Sequence, residues 1–168
     1  MHANPLMRLL RHLFAPSAAR LFPSEVLKHI TAAIAESESR HTGEICFAVE
    51  PNLHPRAAWA GTQARDRANE VFAQLRVWDT RANNGVLLYM LLADHRIEIV
   101  ADRGFDGLVG AEQWRGVCQA IEERLAAGEA EAAVLRGVEA LSALLAEHFP
   151  RGAGYVDSNE LPDQPHLL

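Results

Sequence analysis

Nine residues from Gly85 to Ala93, GVLLYMLLA, include no charged side chain and one polar group, the Tyr89 hydroxyl. The run is far shorter than the ~20 apolar residues of a membrane-spanning helix. It also lacks the alternation of a strand with one wet face, so it predicts a central strand covered on both sides. Asp94-His95 reads as a two-residue turn, beyond which Arg96, Glu98 and Asp102 alternate with Ile97, Ile99 and Ala101. That is the period of a second strand with one more polar face, and the pair makes a hairpin. Hairpin strands run antiparallel, so the start of the first and the end of the second meet at one end of the sheet. Asp79, Asn83 and Asn84 are thereby expected near Asp102 and Asp106.

Upstream, Ser24 can cap a helix whose Val26, Leu27, Ile30, Ala33 and Ile34 share a face until Gly43 stops it. Glu44 to Glu50 predicts a strand with Ile45, Phe47 and Val49 on one face and Cys46 and Ala48 on the other. Pro51 and Pro55 bracket a loop, and Ala64, Ala68, Val71, Phe72 and Leu75 then follow helical spacing. A strand, helix and strand in that order form a right-handed crossover between parallel strands, which brings His41 and Glu44 to the same polar rim. Downstream, Trp114, Val117, Cys118, Ile121 and Leu125 form one helical stripe and Val134, Leu135, Val138, Leu141 and Leu145 another, with a break at Gly128. The expected fold is α/β: a single-domain, three-layer α/β/α sandwich around a small mixed sheet, spanning residues 22–150. A basic amphipathic arm, residues 1–21, precedes it. A tail, residues 151–168, follows, too rich in proline for regular structure but with Leu161, Leu167 and Leu168 able to dock in a groove.

A net charge of −6, with no basic face to offset it, argues against nucleic acid as a partner. The arm has no continuous apolar core or cleavage site of a secretory signal. Together with the lack of a spanning segment, this places the chain in the cytoplasm or at the cytoplasmic face of the membrane. Leu6 to Phe14 interleaves leucines, Met7 and Phe14 with Arg8, Arg11 and His12, a pattern for packing on the domain or on a protein partner. Peripheral membrane contact through residues 6–14 is the alternative.

No nucleophile elbow, phosphate-binding loop, dinucleotide fingerprint or zinc helix is present, so a nucleotide cofactor and zinc have no support. Cys118 and Arg124 have the C-x5-R spacing of cysteine-dependent phosphatases, but the spacer lacks glycine, holds two acids and lies on a predicted helix. Cys46 and Cys118 read as buried thiols. The oxygen-rich rim is the better candidate: Asp79, Asn83, Asn84, Asp102 and Asp106 offer the hard ligands that calcium or another divalent cation takes, calcium tolerating irregular coordination better than magnesium. The same residues also serve as ordinary turn and cap chemistry.

The order helix, GEICFAVE, helix, WDTRANNGVLLYMLLADHRIEIVADRGF and two helices, from about Phe22 to Phe149, resembles the TPM domain family. The most specific parts are Asn84-Gly85-Val86-Leu87-Leu88 and the strand ending Asp102-Arg103-Gly104. The family includes a plant thylakoid-lumen protein linked to photosystem II repair, animal receptor modulators and many bacterial proteins. The resemblance implies the same α/β/α sandwich, and it implies acid phosphatase activity and divalent-cation binding in some members. Where relatives often carry Asp before Asn-Gly, this chain has Asn83 beside Asn84, which lowers the local negative charge. The expected role is a non-enzymatic binding or assembly module acting on a protein partner. The alternative is a weak metal-assisted phosphomonoesterase, with Asp102 and Asp106 holding the ion, Arg103 on the phosphate and no nucleophile named.

Overall fold

The computed structural model describes residues 4–156 and 159–168. At its centre β2 (Gly85–Leu91) is buried at all seven positions, as is its neighbour β1 (Glu44–Glu50). The two pair in parallel from Glu44 opposite Gly85 to Glu50 opposite Leu91. β3 (Arg96–Ala101) pairs antiparallel with β2, Ala101 opposite Val86 and Arg96 opposite Leu91. The two-sided apolar run and the crossover therefore stand as read from the sequence.

Alternation along the strands divides the core into two layers. On one side Ile45, Phe47, Val86, Leu88 and Met90 pack under α3 (Ser24–Glu38), α6 (Ala111–Ala126) and α7 (Ala130–His148), which contribute Ile30, Ile34, Ile121, Val134 and Leu141. On the other, Cys46, Ala48, Leu87, Tyr89 and Leu91 meet Ala68 and Val71 of α5 (Ala64–Gln74). Each fully buried aliphatic side chain contributes roughly 1.5–3 kcal/mol, so both faces of β2 carry the fold. The second layer also holds Glu50, whose carboxylate accepts two hydrogen bonds from Arg67, at 2.9 and 3.1 Å, and one from the Tyr89 hydroxyl at 2.6 Å. A polar group buried this deeply is tolerated because its acceptors are occupied.

Several local expectations differ from the structure. The hairpin closes through Leu92, Ala93, Asp94 and His95 rather than through Asp94-His95 alone, with His95 at φ 51°. α3 begins at Ser24, with Pro23 as its cap residue, and ends at Glu38 well before Gly43. The Ser37 and Ser39 hydroxyls donate to the carbonyls of Ile34 and Glu36 and compete with the helical ladder there. The Pro51–Pro55 loop contains α4 (Pro55–Ala60), started by Pro55 in the first turn and stopped by Gly61 at φ 80°. The tail is not wholly irregular: β4 (His166–Leu167) pairs in parallel with Ala48 and Val49, giving a four-stranded sheet in the order β3-β2-β1-β4. The Leu168 amide continues that pairing to the Val49 carbonyl at 3.0 Å. Leu161 is buried in the second layer.

The arm forms α1 (Pro5–Leu13) and α2 (Ala18–Leu21). α1 is pinned on α4 and the hairpin turn by Arg8, which bonds Asp94 at 2.6 Å and the carbonyls of Ala58 and Thr62 at 3.1 and 2.6 Å. His12 is buried, and its Nδ1 accepts the Leu53 amide at 3.0 Å. Nε2, 3.3 Å from Asp94, is therefore the protonated nitrogen of a neutral ring. Burial outweighs the pull of Asp94 and holds the His12 pKa below its usual value.

Candidate functional site

The sheet end formed by the starts of β1 and β2 and the end of β3 gathers the rim. The Glu44 amide donates to the Asn84 carbonyl at 3.3 Å, and the Asp102 amide to the Gly85 carbonyl at 2.9 Å. Gly85 is required by proximity, since a Cβ there would lie 2.0 Å from the Val77 carbonyl oxygen. Gly104 is required likewise: its Cβ would fall 2.3 Å from the Asn83 carbonyl oxygen, which accepts the Gly104 amide at 2.8 Å. The segments Asn83-Asn84-Gly85 and Asp102-Arg103-Gly104 are thus joined by two backbone hydrogen bonds, Asp102 to Gly85 and Gly104 to Asn83.

That contact sends the rim side chains in different directions. Asn83 takes a left-handed φ of 52°, a conformation asparagine tolerates, and its Oδ1 accepts from Arg103 Nε at 2.9 Å. Asn84 is buried and turns towards β1, where Nδ2 donates to the Thr42 carbonyl at 3.0 Å. Asp79 is exposed beside Arg76 at 3.4 Å. Glu44 is buried, and its carboxylate accepts the amides of Glu160 and Leu161 at 3.2 and 3.3 Å, holding the tail across the rim. Glu160 in turn approaches Arg81 at 3.4 Å. His41, also buried, faces the Gly43 carbonyl through Nδ1 at 2.9 Å.

Asp102 and Asp106 both line a cavity of about 370 Å3, together with Arg65, Phe105 and Trp114. Asp102 Oδ1 accepts the Arg103 amide at 2.8 Å, while Oδ2 is buried and makes no hydrogen bond. A buried acceptor without a donor costs about 1–3 kcal/mol, which a cation or a donor reaching Asp102 would offset. Among the described residues no group of three or more His, Cys, Asp or Glu side chains is arranged so that it could hold a metal ion. The residues present therefore fit at most a weakly held ion on Asp102 and Asp106, with Asp79, Asn83 and Asn84 engaged elsewhere. Arg65, which the apolar spacing of its helix does not single out, also lines this cavity. In the structure its guanidinium donates to the Ile99 carbonyl and approaches Glu98 at 3.7 Å.

The C-x5-R spacing carries no such arrangement. Both residues lie on α6, Arg124 pairs with Glu129 at 2.8 Å, and burial, aided by Glu98 and Glu122, pushes the Cys118 thiol up to about 11. Burial likewise pushes Cys46 up to about 12. Neither thiol is poised as a nucleophile.

A second feature lies at the opposite end of the molecule. With Arg8 and His12 turned inward, α1 presents Leu6, Met7, Leu10 and Leu13 to solvent and is followed by Phe14, which is 81% exposed. The spacing is that of one helical stripe, with the usual inside and outside exchanged.

Residues 17–144 match the family model described as the TPM domain. The chain belongs to the TPM domain family. The match spans both rim segments, Asn83–Gly85 and Asp102–Gly104, and begins after α1, so the exposed stripe lies outside the matched TPM region. Among solved structures, the NMR structure of BA42 protein from the psychrophilic bacterium Bizionia argentinensis is similar, with 28% identity and a TM-score of 0.75. The similarity covers 86% of this chain and 94% of that one. No curated protein matches the sequence. Among the described residues, no helix of this TPM protein is long and apolar enough to cross a membrane.

Proposed function

We propose that this TPM-domain chain is a non-enzymatic binding module that docks on a protein partner through the outward face of α1. The observation that carries the reading is the reversed helix: the apolar stripe faces solvent while Arg8 is spent on the chain's own carbonyls and Asp94. Contiguous exposed apolar surface of this kind is characteristic of an interaction site. A membrane-surface helix draws part of its affinity from cations at the headgroups, and Arg8 is not available for that, so a protein surface fits better than lipid. The triple substitution Leu6→Gln/Leu10→Gln/Leu13→Gln should change stability by less than about 0.5 kcal/mol per site. It should abolish retention of the partner in a pull-down from the chain's own host. Retention equal to wild type would sink the reading, and sedimentation of the wild type alone with phosphatidylglycerol vesicles would replace the protein partner with lipid.

The second reading, a weak metal-assisted phosphomonoesterase, is favoured by Asp102, whose Oδ2 has no donor among the described residues and which lines a cavity with Asp106 and Arg65. Asp102 and Asp106 would hold a divalent ion, whose charge would polarise a phosphoryl oxygen. Arg65 lines the cavity, whereas Arg103 is tied to Asn83. With two carboxylates the expected calcium dissociation constant is on the order of 10⁻⁴ to 10⁻³ M. Amide NMR during a calcium titration should show saturable shifts around Asp102–Asp106, absent in Asp102→Asn together with hydrolysis of a chromogenic phosphate ester. Hydrolysis that survives Asp102→Asn would exclude this cavity as the site.

A further inference from the structure

At the hairpin end of the sheet a groove of about 940 Å3 opens between three segments: the Leu91–Arg96 turn, the α1–α2 connection and the α6–α7 turn. Its volume falls within the roughly 300–1,000 Å3 of small-molecule sites. The walls are mainly apolar, with Phe14 and Leu21 on one side, Leu125 and Ala126 on the other and Met90 and Leu92 beneath. Charged and titratable groups line it as well: Arg11, Arg96 and His95, with Glu122 as the one acid.

The cations are incompletely matched. Asp94, the acid behind them, is occupied by Arg8 at 2.6 Å and faced by His12 at 3.3 Å. Burial opposes its charge, but the bonds and charge of Arg8, with His12, outweigh that and hold its pKa below the usual value. Arg11 comes third, at 3.6 Å, with its side chain 45% exposed. The Arg96 side chain forms no hydrogen bond or close ion pair among the described residues, although its charge acts on Glu98. A neutral apolar ligand would leave these guanidiniums unused, and a cationic amphiphile would be repelled by them. A chain of methylenes ending in an anion satisfies both the walls and the cations.

We propose that this groove binds a linear anionic amphiphile, a long-chain carboxylate, with the chain laid between Phe14, Leu92 and Leu125 and the head at Arg11 and Arg96. The site is separate from the Asp102 cavity and from the outward stripe of α1, and holds whichever role those have.

The test uses the full chain and dodecanoate, added below its micellar concentration and followed by calorimetry and amide NMR. One saturable site should appear, with shifts centred on Leu92–Arg96 and Leu125–Ala130. Arg11→Gln should weaken it about tenfold, the size of one charge-assisted hydrogen bond. Ala126→Trp, at an exposed position on the rim, should block the groove while the melting curve stays that of wild type. Dodecyltrimethylammonium should not compete. Met7→Gln/Leu10→Gln, altered only on the outward stripe, should bind dodecanoate as wild type does, which separates this site from the α1 docking face. Absence of saturable binding, equal affinity for the cationic analogue, or indifference to both groove substitutions would each overturn the proposal.

Discussion

Leu88→Asp is expected to remove the cooperative thermal melt of the chain at neutral pH. Leu88 is fully buried, faces the layer of α6 and α7, and lies close enough to α7 that a Cβ on Gly137 would be 3.2 Å from its Cδ2. An aspartate there either carries an unpaired charge into that layer or is protonated at a cost comparable to the whole stability of a domain, ~5 kcal/mol or more. Leu88→Met, which keeps the volume, should cost less than about 1.5 kcal/mol. Circular dichroism melts of the two variants give the comparison. A wild-type melt for the aspartate would mean that β2 is not the middle of the sheet.

Glu50→Ala should produce the next largest loss, on the order of 3 kcal/mol in urea unfolding. The carboxylate holds Arg67 through two bonds and the Tyr89 hydroxyl through a third, and both donors have their pKa raised. For Tyr89 the larger cause is burial and the next is the bond to Glu50. Removing the acid leaves a buried hydroxyl and a partly buried guanidinium without their acceptor. Arg67 keeps its contact with Glu70 at 2.9 Å and some solvent, which sets the value at the lower end of the range for broken pairs. Tyr89→Phe alone should cost about 1 kcal/mol, and in the Glu50→Ala background nearly nothing, because its partner is already gone. Additive losses would indicate that the three groups do not act as one network.

The parts of the fold legible from sequence were those encoded by local periodicity. A run such as Gly85 to Ala93 has one compatible environment, and a strand, helix and strand in succession have one common handedness. Elements that exist only through tertiary pairing left no such trace. β4 is two residues long and is a strand only because Ala48 and Val49 offer an edge. α4 did leave a signal, His54-Pro55 at its start and Gly61 at its end, that two prolines in five residues obscured.

At the rim, strand pairing placed the residues, but side-chain direction was not readable. The left-handed turn at Asn83 sends Asn83 towards Arg103 and Asn84 towards Thr42, so neighbours in sequence serve opposite sides. Asp102 and Asp106 share a cavity because the backbone between them makes a one-turn 3₁₀ helix, Arg103–Phe105. The reversal of α1 was equally hidden: amphipathicity gives two faces but not which of them is inside, and the answer depends on Asp94, far along the chain.

Arg8 joins three pieces of chain that have no covalent reason to move together. Its guanidinium reaches the Ala58 carbonyl in α4, the Thr62 carbonyl beyond it and the Asp94 carboxylate in the hairpin turn. The leading helix is consequently not a fraying terminus that opens residue by residue. It behaves as a latch: lifting it strips the partners from a partly buried carboxylate and loosens the far corner of the sheet in the same event. Mechanical load applied by anything that grips the α1 stripe is thereby delivered to the β2–β3 turn.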